Sequence, residues 1–123
     1  MNLRLINEFL VGRVEKAFKY YHLQGAHVAL STNEYLENCD DTDKYRQLRG
    51  SLMILENLFF LLKENNLYDN ATIVVTGDHT EYYRPEVATL VKAPGIVKDN
   101  MDFDDTSYVL ADTPGIIQTL RGK

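Results

Sequence analysis

The sequence predicts an α/β fold, a partial and mostly parallel sheet flanked by helices, and two observations carry that prediction. Ala71-Thr72-Ile73-Val74-Val75 is almost entirely β-branched, the mark of a strand buried on both faces. The strongest helix signal, residues 43–65, lies between that run and an aromatic-rich strand candidate at 17–23. A long helix between two strands is the crossover that parallel pairing requires.

Taken in order, Leu3, Ile6, Leu10 and Val14 recur at steps of three or four with charges between them, which predicts an amphipathic helix over 2–16. Gly12 weakens its last turn. Residues 17–23 (Ala-Phe-Lys-Tyr-Tyr-His-Leu) read as a strand running into a turn at Gly25. The polar stretch 31–43 reads as a surface loop. Its Asp40-Asp41-Thr42-Asp43 cluster lacks the spacing and glycine of a calcium-binding EF-hand and fits a solvated loop and helix cap.

In the 43–65 helix, Tyr45, Leu48, Leu52, Leu55, Phe59 and Leu62 form an apolar stripe that Ile54, Leu58 and Leu61 widen. The stripe is expected to pack on the 71–75 strand. Residues 86–92 read as a further strand, ended by Ala93-Pro94-Gly95. Asp112-Thr113-Pro114 opens a last helix over 115–120.

At 123 residues the chain fits one domain, 1–123. Its net charge of -5 and scattered basic residues exclude a nucleic-acid partner. A single cysteine, Cys39, excludes an internal disulfide. Neither a signal-peptide core nor an apolar run of membrane-spanning length is read in the chain.

Thr76-Gly77-Asp78-His79 follows the β-branched run directly, and open α/β sheets build their sites at the carboxyl ends of strands. A carboxylate and an imidazole on neighbouring loop residues can reach one divalent cation, and the histidine favours zinc or manganese over calcium. The same dipeptide also suits a plain polar turn. His22 and His27 stand five residues apart at the end of the 17–23 candidate, so all three histidines fall at predicted strand ends. They equally fit a strand residue and a loop residue without chemistry.

Tyr20-Tyr21-His22-Leu23-Gln24-Gly25-Ala26-His27 resembles the His-x-x-Gly-x-His segment of the alkaline-phosphatase/sulfatase superfamily. The closest likeness is to the branch with phosphoethanolamine transferases and lipoteichoic acid synthases. In that branch a long helix follows, then a stretch similar to Asn66-Leu67-Tyr68-Asp69-Asn70-Ala71-Thr72-Ile73-Val74-Val75-Thr76-Gly77-Asp78-His79. The likeness continues through Thr89-Leu90-Val91-Lys92-Ala93-Pro94-Gly95 and covers about residues 16–120.

The resemblance implies the C-terminal portion of an alkaline-phosphatase-like catalytic domain, with the N-terminal half absent. Asp78 and His79 then fall on metal ligands, His27 on a histidine facing the phosphate or leaving group, and His22 on an accompanying substrate-side histidine. It further implies a phosphate- or sulfate-ester substrate and a divalent cofactor: zinc or manganese, or calcium in a true sulfatase. The implied parent is membrane-anchored with an extracytoplasmic catalytic domain. The family's Thr or Ser nucleophile and its acidic metal ligand belong to the other half.

Cys39 precedes Asp-Asp-Thr, not the Cys-x-Pro-x-Arg pattern that sulfatases convert to formylglycine. Thr80 stands where the family has glycine, and Val28-Ala29 where it has a proline-containing turn. These departures admit a second reading, a non-catalytic binding or assembly module. A third is a partner-binding protein using Tyr20, Tyr21, Tyr82 and Tyr83. Surfaces that the other half would cover are expected to drive self-association into a homo-oligomer.

Overall fold

The computed structural model describes residues 17–79, 87–96 and 98–121. The helix expected over 2–16 lies outside them, as do Thr80, Tyr82, Tyr83 and Glu86. The chain divides into two compact units, Met1–Leu62 and Lys63–Lys123, and its regular elements are helical and extended, an α/β composition.

The first unit is organised by α1, Lys44–Glu64, all but the last two residues of which belong to it. Asp43 starts the helix, its Oδ1 accepting from the N–H groups of Tyr45 at 2.8 Å and Arg46 at 2.9 Å. Those donors would otherwise lack partners at the helix N-terminus. Four hydrogen bonds and a close approach then fold the 25–42 segment onto one side of α1. The Gln47 side chain, 2 % exposed, bonds the backbone at Gly25, His27, Ser31 and Thr32.

One helical turn on, Gly50 faces the Asn33–Leu36 turn so closely that a Cβ would meet Asn33 O and Leu36 Cδ2 at 2.9 Å each. The turn is held by Asn33, whose Oδ1 accepts from Tyr35 N at 2.9 Å and Glu37 N at 3.1 Å. Its Nδ2 donates to Glu37 Oε2 at 3.0 Å. Leu36 takes a left-handed φ of 65° to close it. A single bridge, Thr32 to Asn38, completes the loop. The Val28–Ala29 peptide within the segment is cis.

In the second unit, β1 (Ile73–Thr76) and β2 (Thr89–Lys92) pair antiparallel, Ile73 opposite Lys92 and Thr76 opposite Thr89. Before β1, the chain leaves α1 through Asn66 at φ 56°, a left-handed cap of the kind that ends helices. It then turns at 68–71, where Ala71 N donates to Tyr68 O at 3.1 Å. The Lys92 ammonium donates to the carbonyls of Tyr68 (2.5 Å), Asp69 (2.7 Å) and Ala71 (3.1 Å). Partial burial pushes Lys92 below its ordinary value, with Asp69 opposing. Lys63 and Lys92 both lie 4.8 Å from the Tyr68 ring centroid. A 3-10 turn, Leu110–Asp112, leads into α2, Thr113–Arg121.

The two later helices and both later strands fall within a few residues of their predicted places, and three expectations are corrected. Residues 17–24 carry no regular structure, and Phe18 and Tyr20 are exposed, so 17–23 is not a strand. Strand propensity is realised through pairing with a neighbour, and the only strand pair among the described residues is β1–β2. Without that first strand α1 is not a crossover, and the pairing that does form is antiparallel. The mostly parallel sheet is therefore not what the described residues form.

The α1 stripe is split as well. Leu62 is buried and Leu55 and Phe59 are half-buried, but Tyr45, Leu48 and Leu52 are exposed. Gln47 and Gly50 occupy the buried line in their place. Among the described residues no helix is long and apolar enough to cross a membrane.

Gly50→Ala is expected to lower stability by about 1–3 kcal/mol through overpacking, even though alanine is the better helix former by about 1 kcal/mol. Thermal unfolding followed by circular dichroism reads the net sign. An equal or higher midpoint would show that the Asn33–Leu36 turn yields freely.

A second expectation concerns acid. Arg46 Nε donates to Glu34 Oε2 at 2.5 Å, and that hydrogen bond holds the Glu34 carboxyl below its ordinary value of 4.5. A depressed carboxyl contributes stability that is fully present above about 4.5 and is lost as pH falls through the lower folded-state value. Unfolding midpoints measured from pH 7 down to pH 3 should fall less steeply in Glu34→Gln than in the parent. Superimposable acid limbs would show that this exposed pair contributes nothing.

Candidate functional site

Asp78 and His79 follow β1 after a single glycine, at the carboxyl end of the strand as the sequence predicts. The strand end is fixed by the cross-strand Thr76–Thr89 hydroxyl pair, 3.0 Å apart. Gly77 approaches Val87 at ordinary van der Waals distance, its notional Cβ 3.6 Å from Cγ1. Asp78 Oδ1 accepts from His79 N–H at 3.0 Å, which sets the carboxylate beside the next residue. Its Oδ2 then lies 3.8 Å from His79 Nε2. Both side chains are open to solvent, at 64 % and 45 %, so a ligand can reach them.

The donor set fits half of a metal site. One carboxylate oxygen and one imidazole nitrogen suit zinc or manganese. Their separation is within a small side-chain rotation of the spacing that two bonds of about 2.0–2.1 Å require. Zinc sites ordinarily take three or four protein ligands. Among the described residues no group of three or more His, Cys, Asp and Glu side chains is gathered to hold an ion.

His22 and His27 belong to the first unit, Asp78 and His79 to the second. His22 lies exposed on the irregular 17–24 segment, not at a strand end. His27 is also exposed, but on a fixed backbone. Its N–H donates to Gln24 O at 3.2 Å across a turn in which Gly25 takes φ 58°. Its carbonyl accepts from Gln47 Nε2 at 3.0 Å. The structure therefore brings Asp78 and His79 together and gives His27 a supported loop, with His22 outside that support.

Sequence reasoning missed Gln47, which holds the backbone at His27, and Lys92, which fixes the end of the hairpin opposite Asp78 and His79. One signal existed for Gln47: a polar residue three positions before a mid-helix glycine, on a line with Ile54 and Leu58. No comparable signal marks Lys92.

Compared with protein-family models, curated proteins and solved structures, the chain matches none.

Exposed groups with local partners contribute little to folding. Asp78→Ala and His79→Ala should each shift stability by less than about 0.5 kcal/mol. A denaturant titration showing a loss of about 2 kcal/mol or more would instead make the pair a structural turn element.

Proposed function

We propose that the chain is the C-terminal part of an alkaline-phosphatase/sulfatase-like catalytic domain acting on phosphate or sulfate esters. The observation that carries this reading is the ordered pair of motifs, His22 to His27 and Thr76 to His79, with a helix of 21 residues between them. The position of Asp78 and His79 at the carboxyl end of β1 supports it, as does their accessible oxygen–nitrogen donor set.

In this reading Asp78 and His79 would hold one divalent ion, zinc or manganese, with calcium the choice of a true sulfatase. Bound there, the ion supplies Lewis-acid stabilisation of charge that develops on the ester oxygens. His27, when protonated, donates to a non-bridging oxygen or to the departing group. His22 lies on the substrate side of the same segment. The remaining ligand and the hydroxyl nucleophile come from an N-terminal half, whose strands would also complete a mostly parallel sheet on β1. The parent would be membrane-anchored, its catalytic domain extracytoplasmic. The mixed Asp–His pair favours phosphoryl over sulfuryl chemistry, because calcium sites prefer oxygen donors.

Calorimetric titration with zinc and manganese, run beside a chromogenic phosphodiester assay, tests the reading. The 123-residue chain is expected to bind metal weakly and to turn over nothing. A form extended at the N-terminus by its upstream coding sequence should turn over substrate and lose that activity in Asp78→Ala. Tight binding and turnover by the 123-residue chain would overturn the half-domain reading. Absence of both in the extended form would favour the non-catalytic module that Thr80 and Val28 suggest.

A further inference from the structure

Gln47 is the least exposed of the buried polar side chains among the described residues, at 2 %, and it bonds only backbone. Its Oε1 accepts from Ser31 N at 2.9 Å and Thr32 N at 3.3 Å. Its Nε2 donates to Gly25 O at 2.9 Å and His27 O at 3.0 Å. A primary amide has two donors and two acceptor sites, and here all four are taken by one loop. The partners lie from 15 to 22 residues away in sequence, so a single rigid helix position holds both ends of residues 25–32. No other amino acid offers two donors and two acceptors at that reach, and a buried carboxamide left half-satisfied is costly.

The loop so held carries His27, whose ring is exposed. Its own main-chain carbonyl is one of the four bonded groups. A side chain that must meet a phosphate is useful only when its backbone stays put. The Cα of His27 is tied twice, through its N–H to Gln24 and through its carbonyl to Gln47. His22, three residues before the first bonded group at Gly25, has neither tie among the described bonds.

We propose that Gln47 is a positioning residue for His27, fixing the 25–32 loop so that the imidazole is presented from one backbone conformation. The assignment rests on the reading of His27 as the phosphate-facing histidine. The two fail separately.

The test uses the full chain and two nearly isosteric variants, Gln47→Glu and Gln47→Met. A carboxylate keeps the acceptor contacts to Ser31 and Thr32 but cannot donate to Gly25 or His27, and methionine keeps neither. Backbone order parameters from nitrogen-15 relaxation should be near 0.85 across 25–32 in the parent. In Gln47→Glu they should fall below about 0.6 at 25–27 while 31–32 stay ordered, and in Gln47→Met both ends should loosen. The circular dichroism of α1 should be retained throughout. This division between the two ends separates a clamp from general loss of structure. Uniform order in both variants would overturn the proposal, and so would equal loosening at both ends of Gln47→Glu.

Inorganic phosphate is the probe of the second arm. Its titration should move the His27 ring resonances in the parent, and about tenfold weaker in either variant. A parent ring that ignores phosphate, with the loop loosening in the expected pattern, would remove the phosphate-facing reading and leave the clamp standing. A phosphate response undiminished in Gln47→Met would overturn the positioning role itself.

Discussion

The first unit depends on one buried amide. With Gln47 in place, backbone groups of Gly25, His27, Ser31 and Thr32 are satisfied and the 25–32 loop is held against a helix. Each such bond contributes only about 1 kcal/mol net, whereas a buried group left without its partner costs about 1–3 kcal/mol. The asymmetry makes the loss of either pair of contacts costly at the end of the loop that the pair holds. It also constrains the next turn of α1. Gly50 must lack a side chain, because the 33–36 turn that continues the clamped loop passes over it. Asn33 must be an amide, because its oxygen and nitrogen together close that turn. Leu62 is the one buried hydrophobic side chain among the described residues, so local order in this unit comes more from satisfied polar groups than from an apolar core.

The second unit uses the same device with a charge. Lys92 sits opposite Ile73 in the ladder, and its ammonium gathers the carbonyls of Tyr68, Asp69 and Ala71. That ties the turn before β1 to the end of β2. Gly95 N adds a further bond to Asp69 O at 2.7 Å. The 68–71 end of the hairpin is thereby fixed, and the Thr76–Thr89 pair fixes the other. Asp78 and His79 project just beyond the second of these ends, so their loop starts from a strand whose register has no freedom to slip. In both units a long polar side chain gathers backbone groups that are distant in sequence.

The long helix, the β-branched strand and the strand ending before Ala93-Pro94-Gly95 were all readable, because each rests on a local pattern. So was the position of Asp78 and His79 just past the end of a strand, which follows from the β-branched run alone. The expectations that failed depended on partners distant in sequence. The 17–23 segment has strand composition but no ladder, and composition does not report whether a neighbour exists. The α1 stripe was drawn through Tyr45, Leu48 and Leu52 because apolar residues ordinarily face inward. Gln47 reversed that inference over the first turns, since an amide with four partners can be buried as readily as a leucine. Hydropathy assigns such a residue to solvent, so the clamp beneath His27 was hidden by the rule that found the helix.

Two surfaces stay open among the described residues. Tyr45, Leu48 and Leu52 share an exposed face of α1, and Tyr45 has Lys44 Nζ 5.5 Å from its ring centroid. In the second unit every residue of β1 is only half-buried, although its composition suits a strand covered on both faces. Its one partner among the described residues is β2, which leaves its second edge without a ladder there. An uncharged edge of Ile, Val, Val and Thr carries none of the lysines, prolines or bulges that protect true edge strands. In the half-domain reading a parallel strand from an N-terminal half would cover that edge, and self-association of the chain would cover it antiparallel. The first arrangement would account for the continuous β-branched run as well as the edge, whereas the second would account for the edge alone.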